Sequence, residues 1–215
     1  RGWHSTIEAL IALKVEERKD VVHHAMSFID SVCDYTTSTT IKAIGEIKTE
    51  ERGEVLNFTR LLLTAAAKHG EAVSIIKMIG SVPEKERKKL VFYTLPFLSC
   101  DQKFYFRGFS APEIIMEGIM KIPPEETQDI LMYSLPLMRS YMSSEDKTKI
   151  IQRITKVKKE DRLNILLKAS PIISNLKDPK WENICHIIDD TDKIPTIKDP
   201  SWGQERKWKI LHVKA

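Results

Sequence analysis

The chain has 215 residues, of which 42% are apolar and 30% charged, and it carries a formal net charge of +4. That composition excludes a chain that is mainly disordered, and the charge is too mild to imply nucleic acid by itself. Only 8 residues are glycine, about 4% against a usual roughly 7%, which argues against an all-β fold and against a nucleotide-binding α/β fold built on glycine-rich loops.

A repeat organises the chain. Segments 7–18, 41–52, 76–87, 116–127 and 151–162 read IEALIALKVEER, IKAIGEIKTEER, IKMIGSVPEKER, MEGIMKIPPEET and IQRITKVKKEDR. Their last residues, Arg18, Arg52, Arg87, Thr127 and Arg162, stand 34, 35, 40 and 35 residues apart, so one unit is about 35 residues, with an insertion of about five after the third. In chain order, the spacing predicts first helices over 6–14, 40–48, 72–82, 112–122 and 146–157. Each is followed by a second helix starting near 16, 50, 84, 124 and 159.

The columns of this alignment have physical meaning. Eleven, eight and five residues before each anchor stand Ile7/Leu10/Leu13, Ile41/Ile44/Ile47, Ile76/Ile79/Val82, Met116/Ile119/Ile122 and Ile151/Ile154/Val157, an apolar stripe on one face of a short helix. A tight connection follows at Lys14, Lys48, Pro83, Pro123-Pro124 or Lys158, and then carboxylates such as Glu50-Glu51 and Glu160-Asp161, which suit the positive end of a helix dipole. Apolar pairs Val21-Val22, Val55-Leu56, Leu90-Val91, Ile130-Leu131 and Ile165-Leu166 continue each second helix. One hairpin cannot bury both stripes alone, whereas stacked neighbours can. Pro96, Pro136 and Pro171 share one offset in the last three second helices and predict a bend or break there, while Ser27 and Leu61 hold that place in the first two.

The expected architecture is therefore all-α: a right-handed α-solenoid of five helical-hairpin repeats over 1–177 (units 6–38, 39–71, 72–110, 111–144 and 145–177), closed by a C-terminal helical cap over 178–215. Asp178-Pro179 and Asp199-Pro200 predict two final helices over 179–188 and 200–212, with an acidic loop at Asp189, Asp190 and Asp192 between them.

The period and apolar columns resemble HEAT-like helical-hairpin repeats, and the phrase Ile122-Pro123-Pro124-Glu125-Glu126 also looks like repeat arrays in proteins of intracellular bacteria. The first resemblance implies a protein-binding scaffold or recruiting module rather than an enzyme, with Arg18, Arg52, Arg87 and Arg162 in a ladder between units that Thr127 interrupts. The second implies a bacterial effector working in the host cytosol.

Chemistry has few candidates. The histidines form no ligand spacing on a helix face, and Asp189, Asp190 and Asp192 lack the glycine and distal glutamate of an EF-hand loop, so neither metal nor cofactor is expected. Glu-Glu-Arg phrases recurring at fixed register speak for structure, not for a catalytic pair, and no GxSxG, Walker A or GxGxxG phrase occurs. Cys33, Cys100 and Cys185 are odd in number and far apart, which fits thiols in the cytoplasm or another reducing compartment. No apolar run reaches the roughly 18 residues of a membrane-spanning helix. The chain opens on Arg1-Gly2-Trp3 rather than Met, and reads as a segment of a longer protein.

Two surfaces stand out. The insertion holds Phe104, Tyr105, Phe106, Arg107 and Phe109, and aromatic residues with arginine in a solenoid insertion predict a partner anchor. The basic residues Arg87, Lys88, Lys89, Arg153, Lys156, Lys158 and Lys159 are the alternative, a nucleic-acid contact. A continuous basic groove would favour nucleic acid; scattered charge with an exposed apolar patch would favour protein.

Overall fold

The structure, a computed structural model, describes residues 2–29, 34–66, 71–98, 111–138, 142–177 and 180–191. Every described element is helical, and no strand occurs among the described residues. The helices are α1 (Gly2–Ile11), α2 (Arg18–Ile29), α3 (Asp34–Gly45), α4 (Thr49–Ala65), α5 (Ala72–Ser81), α6 (Glu84–Leu98), α7 (Pro112–Met120), α8 (Thr127–Ser134), α9 (Ser144–Thr155), α10 (Lys159–Asn175) and α11 (Trp181–Asp189).

The turn inside each helix pair is the same in all of them. The amide five residues before the anchor donates to the carbonyl eight before it, from Leu13 to Leu10, Ile47 to Ile44, Val82 to Ile79, Ile122 to Ile119 and Val157 to Ile154, at 3.0–3.3 Å. One residue before the anchor, the amides of Glu17, Glu51, Glu86, Glu126 and Asp161 donate to Lys14, Lys48, Pro83, Pro123 and Lys158, at 2.8–3.0 Å. Lys14, Lys48 and Lys158 have φ of −58°, −59° and −59°. That is close to the value a pyrrolidine ring imposes, so lysine and proline exchange in this column without strain.

Each first helix touches the next first helix, α1 to α3, α5, α7, α9 and α11 in succession. Each second helix touches the first helix that follows it, and α4 meets α6 as α8 meets α10. The buried apolar side chains form one cluster from Ala9 to Ile188. Its spine is the predicted columns: Ile41, Ile44, Ile76, Ile79, Met116, Ile119, Ile151 and Ile154 are all buried. A small residue seven after the anchor, Ala25, Thr59, Thr94, Ser134 or Ala169, is buried in every second helix. Thr59, Thr94 and Ser134 return their hydroxyls to the carbonyl four residues back, at 2.7–2.9 Å, so no polar group is stranded there.

The anchors cross-link the pairs. Arg52 is buried in α4; its Nε donates to Ile44 O at 3.2 Å, and its two terminal nitrogens pair with Glu17 and with Asp20, the latter at 3.0 Å. Arg87 repeats this with Val82 O at 2.9 Å, Glu51, and Glu54 at 3.4 Å. Arg162 does so with Val157 O at 3.1 Å, Glu126, and Asp129 at 2.8 Å. Burial alone would lower the pKa values of Arg52 and Arg162, but the paired carboxylates outweigh it and raise them, so both stay charged.

The rung is absent between the third and fourth pairs, on both sides at once. Thr127 stands where the arginine would be and bonds Pro123 O at 3.0 Å, and Lys89 stands where the second carboxylate would be. Buried Lys147 of α9, in the fifth pair, reaches past the fourth to donate to Phe97 O near the end of α6 at 2.7 Å, at the negative end of that helix dipole.

Some boundaries differ from expectation. α1 and α3 start earlier, at Gly2 and Asp34. In α3 the run Thr37–Thr40, weak in helix propensity, is helical in an element packed on α1 and α2, with Ser38 and Thr40 buried. α8 starts later, at Thr127, after a turn over 124–126. The expected break occurs only at Pro136, in a 3-10 turn (Leu135–Leu137) after α8; Pro96 and Pro171 stay inside α6 and α10. The first C-terminal helix is α11, packed on α9 and α10, and the second, over 200–212, lies outside the described residues.

Two glycines should respond oppositely to alanine. A Cβ on Gly118 would lie 2.6 Å from Thr148 Cγ2 of α9, a stiff β-branched side chain, while one on Gly53 meets nothing within 4 Å. Gly118→Ala is expected to destabilise by about 1 kcal/mol, the roughly 1–3 of overpacking less the ~1 that alanine gains in a helix. Gly53→Ala is expected to stabilise by ~0.5–1 kcal/mol. Urea titration of both variants checks the contrast.

Candidate functional site

The second helices of the last three complete pairs share a surface feature that the first two lack. Five residues after the anchor, α6, α8 and α10 carry Phe92, Met132 and Leu167, exposed by 53%, 56% and 64%. The same place in α2 and α4 holds His23 and Asn57. The prolines fall four residues later, Pro96 and Pro171 inside α6 and α10 and Pro136 in the 3-10 turn just after α8. A proline has no N–H, so Pro96, Pro136 and Pro171 cannot donate to the carbonyls of Phe92, Met132 and Leu167. Each helix therefore couples an exposed apolar side chain with a backbone carbonyl deprived of its usual donor, and does so at one register.

Exposed Leu135 and Leu163 widen the apolar strip on α8 and α10. Lys88 borders it on α6, its ammonium 6.0 Å from the Phe92 ring centroid, and Lys89 sits 5.7 Å from the Tyr93 ring. Large exposed side chains scattered singly mean little; a row at one repeat position, on helices of which α8 and α10 touch directly, is different.

Two depressions lie between first helices. One of about 600 Å³ runs between α5 and α7, lined by Ser74, Lys77, Met78, Glu117, Met120 and Lys121. The other, about 380 Å³, runs between α9 and α11. There Lys149 stands 4.2 Å from the Trp181 ring and Arg153 pairs with Asp189. Cys185 lines it, but burial first, and then Asp189, push its thiol up, so it is no ready nucleophile. Among the described residues, no group of three or more His, Cys, Asp and Glu could hold a metal ion, and no helix is long and apolar enough to cross a membrane.

The expected partner anchors Phe104, Tyr105, Phe106, Arg107 and Phe109 lie outside the described residues. Of the alternative basic set, Arg153 and Lys156 line one depression, the one between α9 and α11. Arg87 is a correction: it is 3% exposed and bound to two carboxylates and two carbonyls, so it cannot reach a phosphate. Arg153 is tied to Asp189. Lys88 and Lys89 are exposed on α6, Lys156 lines the α9–α11 depression, and Lys158 and Lys159 are exposed at the turn into α10. The Phe92–Met132–Leu167 row was missed in the sequence, although the signal was there: an apolar residue and a proline four apart, in three units and in neither of the first two. No protein-family model, curated protein or solved structure matches the chain.

Proposed function

We propose that the chain is a protein-interaction module, an α-solenoid of five helical-hairpin repeats with a C-terminal helical cap that serves as a scaffold or recruiting segment. The architecture is supported by the two turn hydrogen bonds repeated in all five pairs and by helices that touch their successors in order. The function rests on one observation: the exposed row of Phe92, Met132 and Leu167 at a single register of consecutive second helices. Apolar side chains held on rigid helices make a partner anchor without an ordering cost, and the neighbouring carbonyls offer acceptors to a partner's donors. A nucleic-acid role gains no support from the arginines, since Arg52, Arg87 and Arg162 are consumed internally and Arg153 is tied to Asp189.

The test uses the full chain as bait. Phe92→Ser, Met132→Ser and Leu167→Ser combined should abolish capture of partner proteins while the melting temperature moves by no more than about 4 °C, because all three side chains are at the surface. Undiminished capture by the triple variant would remove the row from the interface. An unsubstituted chain that binds duplex DNA at moderate salt as tightly as it binds any protein would remove the reading altogether.

A further inference from the structure

We propose that the outer face of the first helix pair, built from α1 and the start of α2, receives one more helical hairpin of the array's own kind, whose second helix opens with two carboxylates three residues apart. This goes beyond the partner surface above and rests on the repeat reading of the chain.

The face is an acceptor surface whose counterparts are all filled. Ile41, Ile76, Met116 and Ile151 are each at most 3% exposed, covered by the pair that precedes them. Ile7, at the same register, is 52% exposed. Leu10, in the column where Ile44, Ile79 and Ile154 are fully buried, is only partly buried. The charges say the same. Arg18 shares one contact with the other anchors, its Nε on Leu13 O at 3.3 Å as those of Arg87 and Arg162 are on Val82 O and Val157 O, while a terminal nitrogen turns to Ile11 O at 3.1 Å. Arg52, Arg87 and Arg162 each add two carboxylates from the start of the preceding second helix or the turn just before it. No carboxylate of the described residues pairs with Arg18. Its Nε is anchored as theirs are, and a terminal nitrogen that they give to a glutamate rests on a backbone carbonyl instead.

The occupant's chemistry can be refined. Gly45 and Gly80 hold the place of Ile11 in the next two pairs, and a Cβ on Gly45 would lie 2.3 Å from Leu13 Cδ2 of the preceding pair. Ile11 instead projects a side chain that is 64% exposed. A small residue in the incoming hairpin, where its neighbours carry Leu13 or Ile47, leaves room for Ile11, although Met120 and Thr155 hold that place in the fourth and fifth pairs with Val82 and Ile122 in the pairs before them. A second copy of the chain fits less well. The pairs Glu17/Asp20, Glu51/Glu54 and Glu126/Asp129 are already taken by its own arginines, and the remaining positions read Glu86/Lys89 and Asp161/Asn164.

The experiment extends the full chain by one hairpin. A second copy of residues 1–34 joined ahead of Arg1 restores the spacing of the Arg18–Arg52 junction, with Leu13→Ala in the added copy to make room for Ile11. The extended protein is expected to melt in one transition, roughly 4–8 °C above the parent, with slowed amide exchange across α1. Arg18→Leu in the parent portion should remove at least half of that rise, yet shift the unextended chain by no more than about 2 °C. A companion extension with residues 35–68, carrying Glu51, Glu54 and Ile47→Ala, serves if the first does not fold. An added hairpin that melts separately and leaves exchange in α1 unchanged overturns the proposal. So does a dimer of the unextended chain that Ile7→Ser dissociates, because a second copy would then be the occupant. Arg52→Leu in the extended protein separates the two readings: if it destabilises while Arg18→Leu does not, the repeats stand and the docking face falls.

Discussion

Arg52→Leu is expected to lower the unfolding free energy by about 2–4 kcal/mol, somewhat less than the roughly 3–5 for breaking a wholly buried pair, because Asp20 is 40% exposed and keeps part of its hydration. Leucine keeps the apolar stem but leaves Ile44 O with the Ile47 amide as its remaining donor here, and Glu17 and Asp20 facing each other without their cation. Arg52→Lys should recover only part of the loss, since an ammonium on a flexible stem cannot serve a carbonyl and two carboxylates in one plane. Thermal melts of the three proteins check the order, wild type above Lys above Leu. The same ladder gives acid sensitivity with a definite sign. Hydrogen bonding from Arg87 first, and then from Lys48, lowers the pKa of Glu51 in the folded state. The unfolded chain then binds more protons than the folded one as Glu51 titrates, so this stabilisation is present above the unfolded carboxylate value of about 4.3 and is lost as pH falls through the folded value. Arg87→Leu should flatten the dependence of melting temperature on pH over that acidic window. An unchanged slope would mean that Glu51 is not coupled to Arg87 in solution.

The ladder also shows how much could be read in advance. The columns were legible because a residue repeated at fixed register must do the same job each time, and Ile44, Ile79, Ile119 and Ile154 are all buried. The arginines could be expected to bond carboxylates, but the acids were assigned to the helix dipole of their own second helix. Their larger role is toward the arginine 32 to 36 residues later, a relation that becomes visible only when units are aligned against their successors rather than against each other. Read that way, the gap was legible too. Thr127 and Lys89 lose the two halves of one rung together, at the junction that carries the five extra residues. The insertion itself obeys no column, so periodicity says nothing about its conformation, and its aromatic residues lie outside the described residues. The outer row was legible in principle and missed in practice. An apolar residue on a second helix reads as core until the burial of its neighbours shows which face is already full.

Ile119→Ala carries the second large expectation, a loss of about 2–5 kcal/mol, the range for removing a large aliphatic side chain from a core that relaxes incompletely. Ile119 is 3% exposed near the end of α7, one of the shorter helices, with Lys121, the residue after its last turn, already at the surface. Its carbonyl accepts the Ile122 amide at 3.0 Å that closes the turn toward α8, so packing and turn geometry meet at one residue. α7 touches α5, α6 and α9. A cavity there loosens contacts to both neighbouring pairs, at the junction where no arginine rung is present to compensate. The loss should therefore fall in the upper half of the range, and exceed that of Ile154→Ala, whose pair is held by Arg162. Urea unfolding of both variants measures the difference. A cost for Ile119→Ala below roughly 0.5 kcal/mol would place that side chain at the surface and shift the register of the fourth pair. Equal costs for the two would mean that the rungs and the isoleucine column stabilise the chain independently, as well-separated sites do.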